Sequence, residues 1–293
     1  MALFSNYATL SYGGLTMRSN TVTGEILETV SAAKTAVVDE YGPDGDVTYA
    51  VSLVNSGDAA VTGLNMTDDL GGYTFGTGTV YPLAYKDGSM RYYVNGALQA
   101  APAVVAGPPM SVSGISVPAG GSAMLIYEAV VTDYAPLGAD GSIVNTATLT
   151  GGGISVPVEA QETVTAEQSA DLTVNKAVSP AAVAPNGLLT YTFVIENTGN
   201  AAAGAAENAV LADTFDPVLG GISVTFNGAP WAAGTNYTYN ETSGEFSTLP
   251  GQITVPAASY TQNPDGTWAV EPGSATLVIS GTVEPSVQIE RKV

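Results

Sequence analysis

The chain has 293 residues, 45% apolar and 12% charged, with 27 acidic against seven basic side chains, a formal charge of −20, and no histidine or cysteine. That length has room for two domains with cores of their own, and the composition is that of folded protein rather than a solvated tail. Disulfides, thiolate metal sites and histidine-based triads are excluded, and the acidic balance argues against nucleic acid or an anionic membrane as a partner.

No apolar run approaches the roughly 18 residues of a membrane span, so no membrane insertion is expected. Few Lys and Arg among abundant Thr, Val, Gly and Asn suggest an extracellular protein, on a cell or spore surface. The start, MALFSNYATLSYGG, has neither a charged region nor a long apolar one, so no signal peptide is visible. Either a leader is removed, or the chain leaves the cell by a route that needs none.

Taken in order, the first element is a hairpin over residues 1–25. Its core, SNYATLSYGGLTMRSNTVTGE, is a near-copy of VNTATLTGGGISVPVEAQETVTAE at residues 144–167. Asn6 matches Asn145, Ala8 to Leu10 match Ala147 to Leu149, and Gly13-Gly14 match Gly152-Gly153. After a gap in the turn, Thr21-Val22-Thr23 line up with Thr163-Val164-Thr165. The later copy closes a domain; the first has none before it to close.

From residue 26 onward, short runs of Val, Thr, Tyr and Ile alternate with Gly, Pro, Asn and Asp clusters, and nothing sustains a helical period. The segments at residues 85–88 and 263–266 have turn chemistry, and the Ala-rich stretch 201–206, between Gly199 and Gly204, reads as a loop. An all-β chain is expected.

The strands repeat. Lys34 stands fifteen residues before Tyr49, and Lys176 fifteen before Tyr191, with Asn55-Ser56-Gly57 and Asn197-Thr198-Gly199 following. TDDL (67–70) matches ADTF (212–215), Asn95-Gly96 matches Asn227-Gly228, and ISVPAGGSAMLIYEAVV matches ITVPA with EPGSATLVISGTV, interrupted by an insertion at 258–270. Two copies of one β-sandwich follow, at residues 26–165 and 166–293. They end differently: after Val131 the first runs into its closing hairpin, while after the matching Val283 only EPSVQIERKV remains. The second sandwich is expected to lack its last hairpin, leaving an unpaired edge and an apolar groove. Residues 1–25 of a neighbouring molecule would fill it, head-to-tail, in an open filament. The alternative is a hairpin folding back on its own second domain.

Strand parity assigns faces. Asn145 falls with Ala147 and Leu149, Asn6 with Ala8 and Leu10, Lys34 with Val30 and Ala32, Lys176 with Leu172 and Val174, Asp68 with Leu64 and Met66, and Asp213 with Ala209 and Leu211. On the donor hairpin the apolar face takes Phe4, Asn6, Ala8, Leu10, Leu15, Met17 and Val22. Each repeat thus points a Lys and an Asp inward, with an Asn from its last strand. Two of the four lysines in the chain occupy this one equivalent place. Buried, such groups must pair with one another.

These residues carry a resemblance. Lys with Tyr fifteen positions on and NSG or NTG after it, the Asp of TDDL and ADTF, and NTATL together resemble the bacterial surface repeat called domain of unknown function eleven. That repeat is related to the isopeptide-forming domains of fimbrial shafts and collagen adhesins. The resemblance covers nearly the whole chain. It implies two tandem Ig-like sandwiches, the second completed by the donor hairpin, in which a first-strand Lys bonds to a last-strand Asn with help from a buried acid. In the first domain these are Lys34, Asn145 and Asp68. The second has Lys176 and Asp213, and Asn6 of a neighbour supplies the missing Asn.

The chemistry suits the residue types. Burial favours a neutral Lys amine as nucleophile and a protonated Asp that polarises the Asn carbonyl; ammonia leaves, and no cofactor or metal is needed. The plainer alternative is a Lys–Asp ion pair with Asn hydrogen-bonded to it. Other candidates are slighter: Pro43 to Asp46 as part of a Ca²⁺ site, more simply a turn, and Trp231, Trp268 and Tyr92-Tyr93 as a carbohydrate platform, more simply core aromatics. The expected function is a filament subunit whose partner is itself, not an enzyme beyond one autocatalytic turnover. The alternative is an adhesin or stalk binding host or carbohydrate ligands.

Overall fold

The computed structural model describes residues 2–26 and 28–283. The fold is all-β, and the one helical turn among the described residues is a 3-10 turn at Ala205–Glu207, at the end of the Ala-rich loop. Two compact units form, Met1–Glu167 with Asn263–Trp268, and Gln168–Gln262 with Ala269–Val293.

The first sandwich has two six-stranded sheets. One runs in the order Ala97–Gln99, Arg91–Val94, Ser122–Val131, Asp46–Asn55, Val30–Ala36, with Leu83–Tyr85 added beside Ser122–Val131. The other runs Ala103–Val105, Met110–Val117, Val61–Asp68, Ser142–Gly151, Val158–Ala166, Glu40–Tyr41. Alternation sets the core: Tyr49, Val51 and Leu53 face Leu64, Met66, Ile143, Ala147 and Leu149. Val158–Ala166 lies beside the Lys34 strand, so the closing hairpin covers that edge.

The second sandwich repeats the first sheet, in the order Leu172–Ser179, Leu188–Asn197, Gly273–Val283, Leu219–Phe226, Ala229–Trp231. The registers agree across the repeats: Lys34 lies opposite Val51 and Lys176 opposite Phe193, two residues beyond the matching Tyr49 and Tyr191. Both Asn-Gly pairs turn hairpins with positive φ at each residue, 47° and 79° at Asn95-Gly96, 49° and 79° at Asn227-Gly228, the backbone that a two-residue turn of matching twist needs. Asn55 and Asn197 are both fully buried, and each amide ties its own loop to a second one: Asn55 to the carbonyls of Ala59 and Pro118, Asn197 to those of Ala201 and Pro256.

The second sheet of this domain is where the copies part. Among the described residues it has three short strands, Ala212–Thr214, Glu245–Thr248 and Tyr237–Tyr239. Val61–Asp68 is paired on both sides, whereas Ala212–Thr214 pairs with Glu245–Thr248 alone among the described residues. The tail after Val283, expected to hold no closing hairpin, lies outside the described residues.

The N-terminal hairpin forms by itself. Ala2–Asn6 pairs with Val22–Ile26, and Thr9–Tyr12 with Leu15–Arg18 around the two-residue turn Gly13-Gly14. One correction concerns its return strand. Val22 lies opposite Asn6, but Val164 lies opposite Ile143 and it is Glu162 that faces Asn145, so Val22 corresponds in space to Glu162 rather than to Val164. The reason is the turn and a register shift: six residues separate the paired Leu10 and Met17 against eight between the matching Leu149 and Val158, and the hairpin shifts by one residue between Thr9–Arg18 and Asn6–Val22. Both positions have the same parity, so Val22 keeps its face.

Candidate assembly and cross-linking site

In the first domain three strands bring Lys34, Asp68 and Asn145 together. The Lys34 ammonium donates to Asp68 Oδ2 at 2.7 Å, and neither side chain is exposed. Asp68 Oδ1 accepts from the Leu70 amide at 3.1 Å, and its Oδ2 also accepts from the Tyr127 hydroxyl. Asn145 Nδ2 donates to the same Tyr127 oxygen at 3.4 Å. The Asn145 Oδ1 and the Tyr49 hydroxyl are buried without a hydrogen-bond partner. Above the lysine sits an aromatic lid: its Nζ is 4.7 Å from the Tyr49 ring centre, and the Tyr49 and Tyr127 rings stack at 5.7 Å.

Burial sets the protonation chemistry. Loss of solvent pushes the Lys34 amine below its ordinary 10.5, against the opposing pull of Asp68. The same cause pushes the Tyr49 and Tyr127 hydroxyls up, so both keep their protons. The site therefore holds an amine inclined to neutrality, an acid in hydrogen bond with it, and an amide whose carbonyl oxygen is unpartnered. Those are the parts of an amine-for-amide exchange.

The second domain holds half of this. Lys176 and Asp213 form an ion pair, but their side chains are 41% and 19% exposed. Lys176 Nζ lies 4.5 Å from the Tyr191 ring, as Lys34 lies over Tyr49, and the Tyr191 ring stacks on Phe215 at 4.9 Å. Opposite Tyr191 stands Ile279, where the first domain has Tyr127 opposite Tyr49. The Lys176 strand is exposed throughout. Next to the ion pair an open groove of about 300 Å³ is lined chiefly by Leu172, Val174, Ile195, Ala209, Leu211 and Ile253.

Asn6 is on the hairpin, on one face with Phe4, Leu10 and Tyr12; across the ladders Val22, Met17 and Leu15 share it. The other face carries the Ser11–Thr16 hydroxyl pair and Arg18 stacked 3.4 Å over the Tyr7 ring. The Phe4 ring lies over Gly24, the residue opposite it, where a Cβ would meet the ring at 2.5 Å. Among the described residues nothing covers the apolar face: Phe4, Leu10, Leu15, Met17 and Val22 are each half exposed or more.

The minor candidates find other roles. Tyr92 is buried with its hydroxyl on the Ser116 carbonyl at 2.6 Å, Trp231 stacks on Phe226 at 4.8 Å, and Tyr93 and Trp268 are half-buried. Asp46 pairs with Lys86 at 2.5 Å, and among the described residues no three acidic side chains are grouped to hold a metal. No helix of the described residues is long and apolar enough to cross a membrane. Tyr127 is the residue that sequence reasoning missed. Its signal was the one site position at which the matched strands LIYEAVV and LVISGTV exchange a phenol for an aliphatic side chain.

No protein-family model and no curated protein matches the chain. Among solved structures it is similar to the pilus backbone RrgB of Streptococcus pneumoniae, with 13% identity and a TM-score of 0.35 over 84% of this chain and 55% of that one. It is also similar to BcpA, the major pilin subunit of Bacillus cereus, with 12% identity and a TM-score of 0.36 over 92% and 73%. A third is the collagen-binding domain of a Staphylococcus aureus adhesin, with 10% identity and a TM-score of 0.31 over 48% and 99%. The chain thus spans about half the length of the pneumococcal backbone.

Proposed function

We propose that this chain is the structural subunit of an extracellular filament, on a cell or spore surface, assembled head-to-tail by donation of its N-terminal hairpin. The observation that carries the reading is one motif in two states. The closing hairpin of the first domain is packed on the Asp68 strand, and its copy at residues 2–26 has an apolar face with no cover. In the second domain the corresponding strand is paired on one side alone among the described residues, beside an apolar groove, and that is where the hairpin would dock.

The first domain supplies the register. There Ala147 pairs with Asp68 and Leu149 with Met66. Carried across the repeat, Ala8 pairs with Asp213 and Leu10 with Leu211, and Asn6 comes to Lys176. Leu10, Met17 and Val22 then enter the groove, each large side chain contributing about 1.5–3 kcal/mol on burial. An isolated two-stranded hairpin is marginal in water, so its natural state is the docked one. Donor and acceptor surfaces differ, and such a contact propagates as an open filament unless it happens to close.

The cross-links belong to the same reading. In the first domain Lys34 bonds to Asn145 with release of ammonia, assisted by Asp68. In the filament the trio of Asn6, Lys176 and Asp213 performs the same exchange between subunits. The protein acts on no other substrate, and the resemblance to the surface repeat, domain of unknown function eleven, fits that role. A chain starting at Glu25 is expected to stay monomeric and to bind added peptide covering residues 1–25, where the full chain forms filaments by negative-stain microscopy. Identical filaments from the shortened chain would overturn strand donation. A full-length chain that stays monomeric with its hairpin protected from hydrogen exchange would mean fold-back onto its own second domain.

A further inference from the structure

An amide nitrogen does not leave as an anion; it must take up a proton as its bond to carbon breaks. Asp68 is the acid of the first site, yet no hydrogen bond runs from its carboxylate to Asn145 directly. The path goes through one hydroxyl. Tyr127 donates to Asp68 Oδ2 and accepts from Asn145 Nδ2 at 3.4 Å, so acid and leaving nitrogen share this oxygen.

Resting on the cross-link reading above, we infer that Tyr127 carries the proton from Asp68 to the departing nitrogen of Asn145, and that Ile279, in the same place in the second domain, makes the intersubunit link the slow one. The step balances as follows. Lys34, as ammonium, gives a proton to Asp68 and becomes the free amine. Its nitrogen attacks Asn145 Cγ, and the new C–N bond forms a tetrahedral centre. Tyr127 passes its proton to Nδ2 and takes the one Asp68 holds, the Cγ–Nδ2 bond breaks, and ammonia departs. Asp68 then accepts the surplus proton of the former lysine nitrogen, so that amide, ammonia and a neutral carboxylic acid replace ammonium, carboxylate and amide. No oxidant or cofactor enters.

Tyr127 suits a relay because burial holds its hydroxyl protonated, so it hands a proton on rather than losing one. The second domain keeps the lysine, its acid and the ring over the lysine. Tyr191 lies over Lys176 as Tyr49 lies over Lys34, and the strand registers coincide, with Ile279 opposite Tyr191 and Tyr127 opposite Tyr49. An isoleucine carries no proton. On the donor side, Tyr7, the phenol next to Asn6, is on the opposite face and stacks with Arg18, and Tyr12, on the same face as Asn6, stands six residues further along the chain. General acid assistance contributes about 10²–10⁴-fold in rate, which is the expected lag of the second link behind the first.

The test follows intact mass and boiling-resistant oligomers over time in the full-length protein. Wild type is expected to lack one ammonia per chain at the earliest sample, while its ladder of boiled oligomers grows slowly as filaments age. Tyr127→Phe keeps the ring that stacks on Tyr49 and should emerge near full sequence mass, losing ammonia about 10²–10⁴-fold more slowly. Ile279→Tyr should speed the ladder, an effect that a merely structural tyrosine in the other domain would not produce. Tyr127→Phe that reaches the cross-linked mass as fast as wild type overturns the relay while leaving the cross-link standing. Should Tyr127→Phe fail to fold, Ile279→Tyr decides, and a ladder no faster than wild type overturns the inference. Wild type at full sequence mass removes the cross-link itself, and the relay with it.

Discussion

The two Lys–Asp pairs of this chain sit at the same place in the same repeat and differ in what covers them. Lys34 and Asp68 are sealed, with side chains at 0% exposure, under a hairpin that belongs to their own domain. Lys176 and Asp213 stand at 41% and 19%, and the Asp213 strand is paired on one side alone among the described residues. The floor of the second site is also more apolar: Leu172 and Val174 stand where the first domain has Val30 and Ala32. Larger apolar side chains left uncovered beside a half-open ion pair are a poor design for a finished domain and a good one for a socket. The two pairs therefore differ in cover, and under the proposed assembly the N-terminal hairpin of a neighbour supplies it to the second.

The largest expected effect follows from removing that part. Without residues 1–24 the comparison freezes with one site closed and one open, and filaments should be absent rather than weakened, by microscopy and sedimentation. Substituting Leu10 and Met17 together by Asp is the milder version. It leaves the main chain able to pair but sets two carboxylates against the groove, and should bring assembly to a small fraction of wild type at equal protein concentration.

Breaking each ion pair separately sharpens the contrast. In a first domain that is ion-paired rather than cross-linked, as in Asn145→Ala, adding Asp68→Ala leaves a lysine buried without a partner and should destabilise the domain by about 3–5 kcal/mol. Asp213→Ala in the isolated chain touches a half-exposed pair and should cost about 0.2–1 kcal/mol. Native-state hydrogen exchange, read separately on the strands Asp46–Asn55 and Leu188–Asn197, measures both in one molecule. If, as proposed, the donor hairpin covers the second pair in filaments, the Asp213→Ala cost should climb there toward the first value. Equal costs before assembly would mean that the second site is already covered.

Strand parity made much of this legible. Alternation alone turns Lys34, Asp68 and Asn145 to one core and Asn6 to the apolar face of the hairpin, because a strand offers only two faces. What alternation does not carry is partnership across sheets. That Tyr127 bridges the acid and the amide depends on how far apart the two sheets pack, and no spacing along the chain encodes it. The register of the return strand escaped for a related reason: the TVT match aligned letters, while pairing is set by the connection, six residues between Leu10 and Met17 and eight between Leu149 and Val158, and by a one-residue shift nearer Asn6. Asn55 and Asn197 were visible as repeated letters, but their role as ties between loops follows from carbonyls some sixty residues away at Pro118 and Pro256.

Those two asparagines supply the control for the comparison, since here the domains agree. Each amide is fully buried and satisfies carbonyls of two loops, so Asn55→Ala and Asn197→Ala should each cost about 1–3 kcal/mol, and by similar amounts. A markedly cheaper Asn197→Ala would place the weakness of the second domain in its loops rather than at its open edge.

The smallest effect is a slope with pH, and it separates a cross-linked first domain from one that is merely ion-paired. Burial holds the folded Lys34 below its ordinary 10.5, so between the folded and unfolded values the unfolded chain binds the extra proton. Stability therefore rises with pH through that window and levels off near 10.5. Above about pH 10 the tyrosines act with the opposite sign, because Tyr49 and Tyr127 keep their protons in the fold and lose them more readily once unfolded. A lysine already joined to Asn145 is an amide and does not titrate. Asn145→Ala, which has no amide to react, should thus show first-domain stability increasing as the pH rises toward 10.5 in urea titrations. The wild-type chain should lack that contribution from Lys34. An identical rise in both proteins would leave Lys34 a free amine in the wild type, and the first site an ion pair.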